Sequence, residues 1–143
     1  MTTTEPEPLV ANPRLEILDD DECMLLLQRE PIGRIALTSG ALPVVLPINF
    51  VTVDRTIVFA SEPGLKLHAA RARQIACVEI DGHDVFEHSG WSVLATGQLT
   101  EITDADRLAA ARGLPLSPWA LAHPDHFIEL SIDLLSGRRI RRP

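Results

Sequence analysis

LPVVLPINFVTVDRTIVFAS, residues Leu42 to Ser61, is the stretch that decides the fold. Its first part, Leu42 to Val53, is almost continuously apolar, which is typical of a strand buried on both faces, although its two prolines limit ladder hydrogen bonding. The dipeptide Asp54-Arg55 then makes a tight connection to a second apolar run, Thr56 to Ser61. The stretch therefore predicts two adjacent antiparallel strands.

More strands and a few short helices are predicted on both sides of this hairpin. Carboxylates at positions 19–22 begin a helix that continues from Cys23 to Arg29, where Pro31 ends it. Six strands joined mostly by short turns predict a mainly β fold, an antiparallel barrel with helices as plugs or flanks. The other predicted strands are Ile32–Thr38, Gln74–Asp81, Ser89–Ile102 with a bulge at Gly97, and Phe127–Leu135, and the other predicted helices follow Gly64 and span 104–114.

Length and composition predict one domain behind a flexible tail. The chain has 143 residues and is 45% hydrophobic, which suits a single core. Residues 1–14 are polar, proline-rich and without periodicity, so we expect a flexible tail there and a folded domain at 15–143. The proline-rich stretch after the third helix is predicted to be a loop with one helical turn at Trp119–Ala122.

The charge and the cysteines exclude several classes of protein. A net charge of −7 opposes general nucleic-acid binding. Neither a signal peptide nor an apolar span is present, and Cys23 and Cys77 have no disulfide or zinc spacing, so we expect a cytoplasmic protein without membrane contact. The arginines at 138, 139, 141 and 142 are read either as a solvated chain end or as a local anion site.

Familiar catalytic and metal motifs are missing from the sequence. There is no G-x-S-x-G, P-loop, G-x-G-x-x-G or H-E-x-x-H motif. His123 and His126 are separated by a proline that disfavours a shared helix face, and the cluster of His83, Asp84 and His88 lacks a third regularly spaced ligand. No metal site is predicted.

The strongest local feature is Ser61-Glu62-Pro63-Gly64-Leu65-Lys66, which joins a hydroxyl, a glycine turn and a helix start to the chain's one lysine. The other positive charges are all arginines. Backbone N–H groups at a helix start and a positive side chain both favour a phosphate group, and glycine permits close approach. An ordinary capped turn with an exposed lysine explains the same residues equally well.

Trp91 is the second candidate binding residue. It follows Gly90 in a predicted strand whose other residues are small, so its ring could cover a planar ligand or fill the core. Both interpretations stay open on the sequence alone.

Taken in order, several segments resemble the pyridoxamine 5'-phosphate oxidase-like flavin proteins, in particular the short proteins common in actinobacteria. The resemblance covers nearly everything after the tail and is specific as an ordered set rather than in any one motif. Its segments are GRIAL at Gly33–Leu37, LPVVLPINF at Leu42–Phe50, IVFASEPGLKL at Ile57–Leu67, ACVEID at Ala76–Asp81, GWSVLATG at Gly90–Gly97 and GRRI at Gly137–Ile140.

The resemblance implies a six-stranded split barrel, a homodimer and two flavin sites formed between subunits. By similarity, Lys66 and Ser61, with Gly64 in their turn, would hold the phosphate of FMN. Residues of the flavin-ring wall would be Pro47, Ile48, Asn49 and Phe50; Trp91 and Ser92 would close the pocket from the same or the partner subunit; and Arg34 is a further polar candidate, or a structural ion pair.

The implied activity is hydride transfer between a bound flavin and an unknown small substrate, with Asn49 and Ser92 as hydrogen-bond donors to the ring. His68 and His88 are acid–base candidates only by titration range, so no catalytic residue is assigned. The C-terminal GRRIRRP replaces the Arg-x-His motif of true pyridoxamine phosphate oxidases, so vitamin B6 oxidation is not expected. The alternatives are a deazaflavin-dependent reductase on the same fold and a non-catalytic flavin or haem storage protein.

Overall fold

The structure, a computed structural model, describes residues 14–116 and 125–142. The predicted tail, apart from its last residue, and the predicted turn at Trp119–Ala122 lie outside those residues. Within them the chain forms three helices and nine strands. In chain order they are β1 (Leu15–Leu18), α1 (Asp20–Arg29), β2 (Ile32–Ser39), β3 (Leu42–Asn49), β4 (Val51–Val53), β5 (Thr56–Ser61), α2 (Leu65–Arg71), β6 (Ile75–Asp84), β7 (Ser89–Glu101), α3 (Ala105–Arg112), β8 (His126–Ser131) and β9 (Leu134–Ile140).

The predicted acidic start of α1 is confirmed as a capping box. The Asp19 carboxylate accepts a hydrogen bond from the Glu22 N–H at 2.9 Å, and the Glu22 carboxylate accepts one from the Asp19 N–H at 3.3 Å. The helix buries Cys23 and Leu27. It therefore closes one side of the core.

All strand pairs are antiparallel, and the main path of the sheet is β3-β2-β6-β7-β8-β5-β4. β7 is shared between two parts of the sheet, because most of it pairs with β6 and β9 whereas Leu99–Glu101 pairs with β8. β3 and β4 end the path without pairing with each other, so the ladder of the described residues is not closed. The mainly β, antiparallel prediction is confirmed, and the count of six strands is wrong.

Two predicted strands are each divided in the structure. The run Leu42–Val53 breaks at Phe50, whose N–H still donates to the Pro31 carbonyl at 3.1 Å in the register of β2 and β3, whereas Val51–Val53 pairs with β5. The run Phe127–Leu135 breaks where Ile132 and Asp133 donate to the carbonyls of Arg55 and Thr96 at 2.9 and 3.0 Å. Each run divides where its partner strands change, from β2 to β5 in the first run and from β5 to β1 in the second, while β7 pairs with both halves of the second. β1, which pairs with β9, was not predicted at all.

Gly97 is required because β7 passes very close to β8 at this position, and not because the strand has a bulge there. The β6–β7 register runs without interruption through the pair Ala76–Gly97. A Cβ on Gly97 would lie 1.5 Å from the carbonyl oxygen of Ser131, which no side chain can accommodate. The glycine therefore lets β7 pass from one part of the sheet to the other.

The sheet has a buried inner face and an exposed outer face. The inner residues of β2, β6 and β7 form the main core together with α1 and α2. The outer face is formed by the opposite residues of β2, β3, β6, β7 and β9 and carries exposed apolar side chains. The prediction that β3 is buried on both faces is wrong for the single chain, because β3 ends the sheet and Pro43, Val45 and Pro47 are exposed. The exposed outer residues include Val45, Ile75, Leu94 and Leu134.

Candidate functional site

One pocket combines the two segments that the sequence marks as candidates. It lies between the end of β3 and the turn that joins β5 to α2, and its volume is about 370 Å³. This is within the usual range of small-ligand sites, about 300–1,000 Å³. We call it the Lys66 pocket, and its lining residues are Leu46, Pro47, Ile48, Asn49, Ala60, Ser61, Glu62, Pro63, Gly64, Leu65, Lys66 and Leu116.

Lys66 is the cation of this pocket. Its side chain is half-buried, and burial lowers the pKa of the ammonium group, although the nearby Glu62 carboxylate opposes that shift. α2 is only seven residues long, so its dipole adds little and Lys66 must supply most of the positive charge. A partly desolvated ammonium group gains from a bound anion, because the anion replaces lost hydration.

Gly64 leaves open space at the mouth of the pocket. A Cβ at this position would meet no atom within 4 Å, so packing within the chain does not explain the glycine. Its backbone is extended and unstrained, with φ 163°. The open space next to Lys66 accommodates a phosphate-sized group, and the residues present fit a phosphorylated cofactor.

Ser61 supports the turn from inside. It is 1% exposed, and its hydroxyl donates a 2.7 Å hydrogen bond to the carbonyl oxygen of Glu62. The hydroxyl therefore fixes the backbone that leads to Gly64. A direct phosphate contact by Ser61 stays a prediction.

Strand β3 supplies the opposite wall of the pocket. Pro47, Ile48 and Asn49 line it, as the resemblance implies. Phe50 does not line the pocket, because its ring lies in the core next to Gly33. Ile48 is therefore the last apolar residue of this wall. The sequence did not single out Leu46 or Leu116, and only the packing of β3 and of the segment after α3 brings them to the pocket.

Arg34 lies outside the pocket on the outer face of β2. Pro47 is its cross-strand neighbour, but its guanidinium points to two carboxylates, at 3.0 Å from Asp81 and 3.8 Å from Glu79. The structural ion pair, one of the two interpretations of Arg34, is what the structure shows. The pKa of Glu79 is raised to about 7 by burial and by the hydrogen bond and charge of Asp81, against the opposing charge of Arg34.

Trp91 and Ser92 lie in a second place, which we call the Trp91 groove. The indole rests on the backbone of Gly82, where an added Cβ would come within 2.6 Å of the ring nitrogen. The groove has two adjoining cavities of about 580 and 650 Å³, which share Trp91 and reach Arg138 and Arg139 respectively. Neither cavity contains a residue of the Lys66 pocket, so a single chain does not bring Trp91 to Lys66.

The histidines of the described residues form neither a metal site nor a base in the Lys66 pocket, and His123 lies outside those residues. No cluster of three metal-ligating side chains occurs in residues 14–116 and 125–142. His68 and His88 are exposed and line no part of the Lys66 pocket. His126 is the cross-strand partner of Ser61, and its Nδ1 lies 3.6 Å from a Glu101 carboxylate. That carboxylate comes from the end of β7 and was not predicted from the sequence.

The described helices include none with the length and apolar character needed to cross a bilayer.

Comparisons with known proteins agree with the fold. An uncharacterized protein of Mycobacterium tuberculosis, Rv0080, is 32% identical over 128 residues, which are 86% of this chain and 84% of that protein. The structure of an FAD binding protein from Mycobacterium smegmatis aligns with a TM-score of 0.74 and 35% identity, covering 87% of this chain and 98% of that one. An FAD-binding protein from Mesorhizobium loti aligns with a TM-score of 0.74 and 26% identity, covering 87% and 97%.

Residues 19–139 match the family described as pyridoxamine 5'-phosphate oxidase. The match extends from the cap of α1 almost to the end of β9 and contains the Lys66 pocket and most residues of the Trp91 groove. The chain therefore belongs to the pyridoxamine 5'-phosphate oxidase family.

Proposed function

We propose that this protein is a cytoplasmic, homodimeric flavin-binding oxidoreductase that holds the flavin phosphate in the Lys66 pocket. The observation that carries the proposal is the pocket itself, where a half-buried Lys66 faces open space left by Gly64. A phosphate group there would regain for the ammonium group the charge stabilisation that burial removes. The relatives described as FAD-binding proteins support a flavin as the phosphorylated ligand.

The flavin ring would lie along β3. Pro47 and Ile48 offer an apolar wall, and Asn49 offers an amide at the end of the strand. The bound flavin supplies hydride transfer; the protein binds the phosphate, orients the ring and excludes water from one of its sides. The substrate would be a small molecule that reaches the opposite side of the ring.

The proposed cofactor is FMN, because the Lys66 pocket would hold only the phosphorylated riboflavin part, which FMN and FAD have in common. A second phosphate or a nucleotide tail would extend beyond the Lys66 pocket. A deazaflavin with an anionic tail would do the same, and would need further cations such as Arg138.

The outer face supports the homodimer. Its exposed apolar side chains lie on five neighbouring strands, which is typical of a surface that a partner covers. Ser92 and Arg138 lie opposite each other on this face, and the Trp91 groove opens at its edge. In a twofold pair, the Trp91 groove of one subunit would complete the Lys66 pocket of the other.

The test is a titration of the purified full chain with FMN, FAD, a deazaflavin and haem, followed by absorbance and fluorescence. Lys66→Ala should weaken FMN binding by about tenfold or more, since a hydrogen bond to a charged group contributes about 1.5–3 kcal/mol. The matched control is Arg112→Ala, which removes one exposed positive charge at the end of α3, away from the pocket. Its FMN affinity should equal that of the wild type.

Two results would contradict the proposal. If Lys66→Ala binds FMN as tightly as the wild type, the phosphate is not in this pocket. If the protein binds the deazaflavin or haem tightly and does not bind FMN, the alternative cofactor or the storage function is correct.

A further inference from the structure

The helix that carries Lys66 is short and has few large apolar side chains to hold it in place. α2 spans Leu65–Arg71, and two of its three buried residues are the alanines Ala69 and Ala70. Alanine buries little apolar area, and a helix of this length is not stable alone in water. The N-cap is Gly64, which has no side chain to cap the first turn. The position of Lys66 therefore depends on what attaches α2 to the rest of the chain.

The last residue of α2 is attached to the end of β7 by an ion pair with two hydrogen bonds. The Nε and Nη2 atoms of Arg71 donate to the two carboxylate oxygens of Glu101 at 3.2 and 3.3 Å. The Glu101 side chain is only 15% exposed, so this carboxylate has lost most of its water. Two parallel hydrogen bonds fix the direction of a guanidinium as well as its distance. The end of α2 is consequently held in one orientation.

The same carboxylate also contacts the strand next to the start of this segment. The Nδ1 atom of His126 lies 3.6 Å from Glu101. His126 is the cross-strand partner of Ser61, the last residue of β5 before the turn that leads to α2. Glu101 thus links the first and the last residue of the segment 61–71, and Lys66 lies between them.

Arg71 and Glu101 act at a distance from the pocket. Neither of them lines the Lys66 pocket, and His126 does not line it either. Lys66 is on the first turn of α2 and Arg71 is its last residue, about 7.5 Å further along the helix axis. A helix of two turns moves as a unit, so a tilt or rotation at Arg71 also moves the ammonium group of Lys66.

We propose that the ion pair of Arg71 and Glu101 positions Lys66 for the flavin phosphate, so that both are positioning residues of this site. Without the ion pair, α2 would still pack on the core through its apolar residues, but Lys66 would be held less firmly beside the open space at Gly64. A hydrogen bond to a charged group depends on distance and direction, so the phosphate would bind more weakly. This inference rests on the phosphate site of the proposed function and adds the residues that orient it.

The experiment compares FMN with riboflavin, which has the same ring system and lacks the phosphate. Arg71→Gln should weaken FMN binding by about threefold to tenfold, as is typical of residues coupled through a contact, and should leave riboflavin binding unchanged. Glu101→Gln keeps the size of the side chain and should give the same result. Fluorescence titration of the full chain measures both dissociation constants. Circular dichroism shows whether each variant is folded, and Glu101→Gln decides the test if Arg71→Gln does not fold.

A double-mutant cycle tests whether the effect passes through Lys66. In the Lys66→Ala background, Arg71→Gln should cause no further loss of FMN affinity, because the group that Arg71 orients is already absent. The matched control is Arg73→Gln, which removes an exposed arginine just after α2. Arg73 forms no ion pair in the described part of the chain, so this variant should bind FMN as the wild type does.

The inference and the proposed function can fail separately. If Arg71→Gln binds FMN as tightly as the wild type, or loses affinity for FMN and riboflavin by the same factor, the ion pair does not position Lys66. The same conclusion follows if the losses of Arg71→Gln and Lys66→Ala add in the double variant. Each of these results overturns the inference and leaves the phosphate site intact. If Lys66→Ala itself does not change FMN binding, the proposed phosphate site is wrong and the inference fails with it.

Discussion

The two faces of strand β6 have opposite surroundings, although their residues alternate along one stretch of chain. Ile80 on the inner face is 1% exposed, whereas Ile75 on the outer face is 64% exposed. Both are isoleucine, so the difference comes from position and not from side-chain chemistry. The inner face accounts for the stability of a single chain, and the outer face has apolar area that a single chain does not use.

The largest effect is expected when a methyl group is added on the inner face of the sheet at Gly97. Gly97→Ala should prevent folding or cost more than about 4 kcal/mol, because the new Cβ would overlap the backbone of Ser131. Urea unfolding followed by circular dichroism measures the free energy of unfolding. The matched control is Gly64→Ala, whose Cβ meets no atom within 4 Å and should change stability by less than about 0.5 kcal/mol. Normal stability in Gly97→Ala would show that β7 and β8 approach less closely than described.

The second prediction compares the two isoleucines directly. Ile80→Ala should lower the free energy of unfolding by about 2–5 kcal/mol, since it leaves a cavity in the core. Ile75→Ala should cost less than about 0.5 kcal/mol in dilute protein, because its side chain is already in water. Urea unfolding at low and high protein concentration separates the two roles. If Ile75→Ala is as costly as Ile80→Ala even in dilute protein, the contrast between the faces is incorrect.

The inner face is also the part that the sequence predicts best. β2, β5, β6 and β7 alternate between apolar and polar residues or carry β-branched runs, and this pattern is local. The divisions at Phe50 and at Ile132 were not predictable, because they depend on which strands the two halves of each run pair with. β1 was missed for the same reason, since only its pairing with β9 makes it a strand.

The candidate site was also predictable only in part. The segment from Ser61 to Lys66 is contiguous, so the sequence alone placed its hydroxyl, glycine and lysine together, and β3 was added by resemblance. Trp91 and Lys66 line separate cavities in one chain, and no local pattern indicates which copy of a chain contributes to a site. The pairing of Glu79 with Asp81 and Arg34 was also missed, since the register of β2 against β6 creates it.

A smaller effect is expected when the outer face is made charged. Leu134 is exposed on β9 and lies beside Thr96, so Leu134→Glu should leave the unfolding of the monomer within about 0.5 kcal/mol. The same change should weaken association by about tenfold or more, because a carboxylate would be buried without a partner. Light scattering after size-exclusion chromatography measures the dimer fraction. Leu25→Glu, on the exposed side of α1, is the control and should not change it. An unchanged dimer in Leu134→Glu would place the interface elsewhere.

The smallest effect is expected for Arg34, which lies on the outer face next to Glu79 and Asp81. Arg34→Gln removes the charge that opposes the raised pKa of Glu79, so the pKa should rise further. At pH 8.5 Glu79 is largely ionised in the wild type and Arg34 attracts its charge, whereas at pH 6.0 Glu79 is largely protonated and that attraction is lost. The loss of stability in dilute protein should therefore be greater at pH 8.5, although it should stay below about 1 kcal/mol because the pair is more than one-third exposed to solvent.

Urea unfolding at the two pH values measures this difference. Arg55→Gln is the matched control, since Arg55 pairs with a single carboxylate, that of Asp20, at 2.8 Å and is similarly exposed. Its cost should be the same at both pH values. If Arg34→Gln and Arg55→Gln behave alike, Arg34 does not oppose a raised pKa of Glu79 in the folded chain. The outer face would then differ from the inner face only in its exposure, and protonation of Glu79 would not change the stability of the chain.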